Sequence, residues 1–224
     1  MADPIRRERI LKRDGYWVSY NTETRQPNYV SWVLTAQRLR GRAQRAQTFF
    51  EDPELPNSEK STLDDYRSSG YDRGHMCPAG DNKWNQTAMI ESFYLSNICP
   101  QRHNLNSGDW RILEEACREW ARRGQQKIYI VAGPIFKNDR SPRLLRRRVR
   151  VPDQFFKLLL CTDKGKEKGI AFLFDNRGGE RPLNYYACSI DDIEHLTGIN
   201  FFASLNVSLQ NRLESQNNLS EWEK

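Results

Sequence analysis

One stretch of helical periodicity, set among strand-like segments, constrains the fold of this chain more than any other feature. Between residues 107 and 124, apolar side chains recur at steps of three, four, three and one. This spacing predicts an amphipathic helix with one buried face. Ser107 or Asp109 is the predicted N-cap, and Gly124 is the predicted end. The apolar positions are Trp110, Leu113, Cys117, Trp120 and Ala121.

Segments on both sides of this helix have the composition of β-strands. Residues 29–34, 127–132, 155–161 and 170–174 are rich in aliphatic and aromatic side chains. A second, shorter helix is predicted over 189–196, with Ser189 as its N-cap. Because strands and helices do not alternate regularly, the pattern predicts an α+β architecture around one sheet.

The chain has 224 residues, which fits a single domain. We predict a partly ordered N-terminal extension over 1–28, frayed at 1–13, then one domain over 29–205. The polar tail over 206–224 is the end that we expect to be disordered. The sequence contains no run of about eighteen apolar residues, so we predict no membrane-spanning helix.

Charge and cysteine content narrow the classes of partner. Lysine and arginine number 35 against 29 acidic residues, and the net charge of +6 favours a polyanionic partner. The five cysteines include no Cys-x-x-Cys pair, which argues against a zinc ribbon. Their low density predicts one disulfide at most.

The chain has three histidines, too few for the histidine cages of classical zinc hydrolases. His75 stands out because Asp72, Arg73 and Gly74 directly precede it. A histidine that titrates near neutral pH can take a proton from water, so His75 is a candidate general base. The alternative is a turn held by an Asp72–Arg73 pair. His103 and His195 are interpreted as structural or exposed.

Asn106 and Glu114 lie eight residues apart at the start of the predicted central helix. Two helical turns separate them, so both side chains could face one hydrated cation, Glu114 through water. An amide oxygen suits Mg²⁺ that keeps most of its waters. The ordinary interpretation is a helix cap at Asn106 and a solvated charge at Glu114.

Three sequence blocks in order resemble one known family. They are DRGH at 72–75, LSNICPQ at 95–101 and LNSGDWRILE at 105–114. Together they resemble the DNA/RNA non-specific endonuclease family, over about residues 29–202. The segments DRGHMCPAGDNKW and IYIVAGPIF are most similar to bacterial secreted members. The resemblance implies a ββα-metal nuclease fold, with a mixed, mainly antiparallel sheet and a central helix that carries the metal site.

The resemblance also implies roles for particular residues. His75 would activate the attacking water, and Asn106 would be the direct protein ligand of one Mg²⁺, which Mn²⁺ could replace. Glu114 and Asp72 would hold waters bound to that ion. Arg73 would lie beside the scissile phosphate.

An upstream arginine is expected to stabilise the transition state. Arg45 fits through its spacing to Phe49 and Asp52, and Arg42 is the alternative. Asn97 would contribute supporting hydrogen bonds.

The implied function is a magnesium-dependent, sugar-non-specific endonuclease that cleaves DNA and RNA to 5′-phosphate products. A non-catalytic nucleic-acid binder and a phosphodiesterase for small nucleotides are the alternatives. The further expectations are a secreted or extracytoplasmic location, no membrane partner, and a homodimer or an inhibitor protein as other partners.

A cluster of arginines near residue 146 is a local feature of this chain. Five of eight consecutive residues are arginine. They form either a solvated loop or an additional contact to nucleic-acid phosphates. The cluster consists of Arg143, Arg146, Arg147, Arg148 and Arg150.

Overall fold

The computed structural model describes residues 8–124, 127–137 and 143–224. Eleven strands and five α-helices are present in these ranges. The strands are β1 (Glu8–Lys12), β2 (Trp17–Asn21), β3 (Gln26–Leu34), β4 (Asp72–His75), β5 (Ile98–Gln101), β6 (Ile128–Ile135), β7 (Leu144–Leu145), β8 (Val149–Arg150), β9 (Gln154–Cys161), β10 (Lys168–Asp175) and β11 (Ala187–Cys188). The helices are α1 (Leu63–Tyr66), α2 (Gln86–Glu91), α3 (Trp110–Gly124), α4 (Ile190–Thr197) and α5 (Val207–Glu214).

Seven strands form one sheet in the order β1-β2-β3-β6-β9-β10-β11. Every neighbouring pair in it is antiparallel. Strands β4 and β5 form a separate antiparallel pair, and so do β7 and β8. The four strands predicted from composition correspond to β3, β6, β9 and β10, and the α+β class is confirmed.

Helices cover both faces of the large sheet. Side chains of β9 alternate, so that Phe155 and Leu159 join the core beneath α3 while Phe156 and Leu158 join the core beneath α4 and α5. The five apolar positions predicted for the central helix are all buried. Cys77, Cys99, Cys117 and Cys188 are free thiols.

The chain ends are more ordered than the sequence indicates. The prediction of a frayed segment over 1–13 is wrong for residues 8–12, which form β1, and the predicted boundary at residue 29 falls inside β3. Residues 1–7 lie outside the described ranges. Likewise, the tail predicted to be disordered contains α5, whose Leu213 is fully buried. Among the described residues, no helix combines the length and apolar content needed to cross a membrane.

Candidate active site

The β4–β5 pair and α3 position the predicted site residues. Asp72 pairs with Gln101 and His75 pairs with Ile98 in this antiparallel strand pair. Gly74 has no side chain at a point where a Cβ would collide with the Gln101 side chain, so that side chain packs directly over the β4 backbone. A π-helical turn over Leu105–Asp109 then leads into α3 and carries Asn106. This arrangement is the predicted ββα unit.

An open cleft of about 890 Å³ brings the predicted catalytic and metal residues together. Five arginines and three carboxylates line it, so the cleft has a mixed but net positive lining. The predicted residues among its walls are Arg45, Asp72, Arg73, His75, Asn106 and Glu114. Arg42, the alternative to Arg45, is not among the lining residues.

His75 is packed between aromatic rings. Its ring centroid lies 5.3 Å from that of Phe49 and 4.9 Å from that of Phe93. Burial, with a smaller effect from the Arg45 charge, lowers the pKa of His75 to about 3. This differs from the neutral titration predicted from sequence, because desolvation disfavours the imidazolium. The His75 Nε2 is buried and has no hydrogen-bond partner within the described residues.

Backbone contacts fix the segment that carries His75. Trp110 Nε1 donates to the His75 carbonyl oxygen at 3.1 Å. Asn97 is fully buried and bonds both main-chain groups of Cys77, accepting from its nitrogen at 2.9 Å and donating to its oxygen at 2.8 Å. Asn97 therefore lies where sequence reasoning expected a supporting residue.

Asp72 links strand β4 to the π-helical turn that carries Asn106. Its Oδ2 accepts a hydrogen bond from Asn106 Nδ2 at 2.9 Å. This bond uses the amide nitrogen of Asn106, which leaves the amide oxygen to act as a ligand. The donor set of one amide oxygen and nearby carboxylates fits a hard divalent cation.

His103, interpreted from sequence as structural or exposed, is exposed and also contacts Asp72. Its Nδ1 lies 2.9 Å from Asp72 Oδ2, although the ring is 75% exposed. The pairing of Asp72 with Gln101 brings residue 103 to the same strand end. That proximity is visible only once the register of β4 and β5 is known.

Glu114 is mostly buried and is not the solvated charge that the ordinary interpretation describes. Burial raises its pKa to about 7, although Lys157 and Arg118 act in the opposite direction. Lys157 Nζ lies 3.9 Å from Glu114 Oε1, and Arg118 Nη1 lies 3.9 Å from Oε2. Sequence reasoning missed Lys157, a fully buried amine that lies 4.1 Å from the Trp110 ring centroid.

Two arginines of the cleft stack on the rings that enclose His75. The Arg45 guanidinium lies 4.9 Å from the Phe93 centroid, and that of Arg73 lies 4.7 Å from the Phe49 centroid. Both side chains are largely exposed. Their donors are therefore available to an anion that enters beside His75.

Asp109, a predicted cap, instead anchors the π-helical turn that carries Asn106 to a distant loop. It is buried, and its Oδ2 accepts from Gly179 N at 2.8 Å, from Glu180 N at 3.2 Å and from the Tyr186 hydroxyl at 2.8 Å. Ser107 donates to the His103 carbonyl rather than capping the helix.

The five clustered arginines do not form one solvated loop. Strands β7 and β8 form a hairpin, and three of the arginines fasten it to the protein. Arg143 Nη1 donates to the Tyr71 hydroxyl at 2.7 Å, and Arg148 Nη2 donates to the Lys60 carbonyl at 3.1 Å. Arg150 stacks on Phe136 at 4.9 Å.

The other two arginines form the tip of this hairpin. Arg146 and Arg147 are exposed, with φ of 46° and 60°. Arg148 N donates to the Leu145 carbonyl at 2.8 Å, which closes a two-residue turn. Left-handed backbone costs a residue with a Cβ about 1–2 kcal/mol. Among the described residues, no other two neighbouring non-glycine residues both have positive φ.

Comparisons with known proteins identify the family. Residues 3–208 match the family of DNA/RNA non-specific endonucleases. Nuclease C1 of Cunninghamella echinulata var. echinulata is 34% identical, over 92% of this chain and 88% of that protein. Endonuclease G, mitochondrial, of Homo sapiens is 32% identical, over 88% of this chain and 70% of that protein.

Two further matches extend this finding. Nuclease EXOG, mitochondrial, of Xenopus laevis is 34% identical over 84% of this chain, which spans 56% of the length of that relative. In the crystal structure of the EndoG/EndoGI complex, which concerns EndoG inhibition, one chain matches with a TM-score of 0.79 at 26% identity. That match covers 89% of this chain and 87% of the other.

These comparisons correct the expected location. Secretion was expected from similarity to bacterial secreted members, but the relatives above include mitochondrial nucleases from Homo sapiens and Xenopus laevis. The expectation of a secreted or extracytoplasmic protein is therefore wrong. The match over most of the chain and the nuclease relatives show that this chain belongs to the DNA/RNA non-specific endonuclease family.

Proposed function

We propose that this endonuclease hydrolyses DNA and RNA with Mg²⁺ as cofactor and leaves 5′-phosphate ends. The observation that carries this proposal is a single cleft that holds a neutral histidine, an amide ligand joined to a carboxylate, and exposed arginines. Phosphodiester hydrolysis needs a base for the attacking water and positive charge at the leaving oxygen.

His75 is the general base in this proposal. Its low pKa keeps the ring neutral at physiological pH, so the imidazole is free to take a proton from the attacking water. A phosphodiester anion in the cleft raises that pKa, because negative charge favours the imidazolium. Substrate binding therefore strengthens the base that acts on it.

Asn106 is the proposed direct ligand of the cation, while Asp72 and Glu114 hold its waters. Asp72 orients Asn106 through the 2.9 Å hydrogen bond to the amide nitrogen. The Asn106 amide oxygen would hold Mg²⁺, or Mn²⁺ in its place, with Asp72 and Glu114 acting through its waters, and the bound ion would supply positive charge for the departing 3′ oxygen. Arg45 and Arg73 orient the phosphate through their exposed donors.

The proposed substrate range follows from what the cleft offers. Its charged side chains address phosphate, which DNA and RNA share. Because His75 activates water, the reaction does not need the 2′-hydroxyl of RNA as a nucleophile. A homodimer and an inhibitor partner stay predictions.

Plasmid nicking tests the roles of His75 and Asn106. We expect His75→Ala to lower the rate by about 10²–10⁴-fold, as for loss of a general base. Asn106→Ala should lose activity at low Mg²⁺ and regain part of it at high Mg²⁺. His195→Ala is the matched control, because His195 is exposed on α4 and should leave the rate unchanged. A His75→Ala rate within tenfold of wild type would contradict the assignment.

End-group analysis tests the reaction itself. We expect 5′ phosphates on both DNA and RNA products, and no cleavage in EDTA. Cleavage restricted to RNA, with 2′,3′-cyclic phosphate ends, would contradict a water nucleophile and the proposed substrate range.

A further inference from the structure

The tip of the β7–β8 hairpin carries two arginines where the backbone favours other residues. Arg146 and Arg147 both have left-handed φ values, and the two-residue turn is closed by the bond from Arg148 N to the Leu145 carbonyl. Turns with positive φ at both central positions favour Asn-Gly. The chain therefore keeps two long cationic side chains at positions where smaller residues would fit without strain.

The fold does not use these two side chains. In the part of the chain that the structure describes, neither the Arg146 nor the Arg147 guanidinium has a hydrogen bond or an ion pair with a protein group. By contrast, Arg143 and Arg148 of the same hairpin are bonded to Tyr71 and to the Lys60 carbonyl. Two strained, exposed charges with no internal partner indicate an external one.

The hairpin is held against the wall of the cleft. Leu145 and Val149 are buried in one cluster with Tyr66, and Tyr71 packs against that cluster. Tyr66 and Tyr71 also line the cleft. The base of the hairpin is thus fixed beside the cleft, while Arg146 and Arg147 at its tip are exposed and lie outside the cleft lining.

We propose that Arg146 and Arg147 bind backbone phosphates of a polynucleotide beyond the cleft, a role that rests on the proposed cleavage of nucleic acid. These arginines would recognise successive backbone phosphates of a polynucleotide that is longer than the part bound in the cleft. The remaining three arginines of the cluster hold the hairpin in place, so the binding contribution comes from the tip.

The test is the salt dependence of binding to a 30-base-pair duplex in EDTA. Each phosphate contact contributes about 0.9 to the slope of log K against log salt. Arg146→Gln/Arg147→Gln should therefore lower the slope by about 1.8. Arg122→Gln/Arg123→Gln is the matched control, since it removes two neighbouring exposed arginines from α3 and should leave the slope unchanged.

A second variant separates charge from backbone strain. Arg146→Asn/Arg147→Gly should lower the slope of log K against log salt by the same amount as Arg146→Gln/Arg147→Gln. It should also melt at a temperature about 2–4 °C higher, or more, than that variant. Because binding is measured without metal, it does not depend on cleavage. An unchanged slope in both turn variants overturns the proposal even if wild type cleaves DNA. A slope that is lowered in the turn variants and unchanged in the control supports the proposal, even if wild type does not cleave DNA.

Discussion

At the scale of single residues, burial sets the protonation of the two titrating groups that matter most in the cleft. It lowers the pKa of His75 to about 3 and raises that of Glu114 to about 7. His75 is therefore neutral at pH 7, whereas Glu114 is partly protonated in the absence of metal. The ionised form of Glu114, which the proposed mechanism needs, increases as pH rises through 7.

We expect the cleavage rate at low Mg²⁺ to rise with pH, with a midpoint near 7. Added Mg²⁺ should move the midpoint to lower pH, because a nearby cation favours the carboxylate. Glu114→Gln should cleave at least tenfold more slowly at pH 8, and its rate should not rise with pH around 7. Rate profiles of both proteins between pH 5 and 9 measure this. The same rise in Glu114→Gln would assign the titration to another group.

Ionisation of Glu114 should also lower the free energy of unfolding as pH rises from about 4.5 to about 7, and the full effect is present above that range. Its folded-state pKa is raised from 4.5 to about 7, so the folded chain holds more protons than the unfolded chain between these values. Stability from this group is therefore lost as pH rises through that window. Glu114→Gln should gain on the order of 3 kcal/mol at pH 8, since one pKa unit is worth about 1.4 kcal/mol.

Urea unfolding without metal at pH 8 and pH 4 measures this effect. The variant and wild type should be equally stable at pH 4, where both side chains are neutral. Lower stability of Glu114→Gln at pH 8 would show that the contacts with Lys157 and Arg118 outweigh the cost of burial.

At the scale of elements, the turn that carries the proposed metal ligand depends on a segment far away in sequence. Leu105–Asp109 carries Asn106, and Asp109 joins it to the loop that contains Gly179 and Tyr186. Asp109→Ala would leave three donors without their acceptor. We expect a loss of about 2–4 kcal/mol in unfolding free energy and a higher Mg²⁺ requirement, measured by urea unfolding and Mg²⁺ titration of the rate.

A control separates the turn from general stability. Thr197→Ala removes two hydrogen bonds at the end of α4, one from Thr197 Oγ1 to the Ile193 carbonyl and one that Thr197 Oγ1 accepts from Ile199 N. It should lower stability slightly without changing the Mg²⁺ requirement. An unchanged Mg²⁺ requirement in Asp109→Ala would show that Asp109 does not position Asn106.

Distance along the chain explains which candidate site residues could be predicted from sequence. Asp72, Arg73 and His75 lie in one short motif, and Asn106 and Glu114 lie eight residues apart at the start of the central helix, so local spacing made them candidates. Their predicted roles came from the family resemblance, because spacing alone left a turn, a helix cap and a solvated charge as alternatives. His103 and Lys157 reach the site through strand register and the alternation of β9. Both depend on pairing between distant segments, which a single sequence does not specify.

At the scale of the whole molecule, four central strands of the sheet were predicted, whereas β1 and β2 at one side and β11 at the other were not. Strands β3, β6, β9 and β10 are rich in aliphatic and aromatic side chains, many of them buried, so composition identified them. Strand β1 is an edge strand with four of its five residues exposed, and its sequence ERILK has the composition of a charged extension. Edge strands carry such charges because these discourage pairing with other chains.

The N-terminal hairpin should therefore be essential for folding. A chain that starts at residue 29, the predicted boundary, lacks four core residues and the partner of a buried carboxylate. Each buried side chain contributes about 1.5–3 kcal/mol, so four contribute about 6–12 kcal/mol, comparable to the whole stability of a domain. The lost core residues are Leu11, Tyr16, Val18 and Tyr20.

Loss of the Arg13–Asp52 pair adds to that effect. Arg13 Nη2 lies 2.7 Å from Asp52 Oδ1, and both side chains are almost fully buried. Without Arg13, Asp52 is a buried charge with its main partner gone, which costs several kcal/mol more.

We expect the truncated chain to lack a cooperative transition in circular dichroism. Val18→Ala should destabilise the full chain by about 1–3 kcal/mol, and Ile10→Ala, at an exposed position of β1, by less than about 0.5 kcal/mol. A cooperative melt of the truncated chain near the wild-type temperature would show that the hairpin is the dispensable extension that composition indicates.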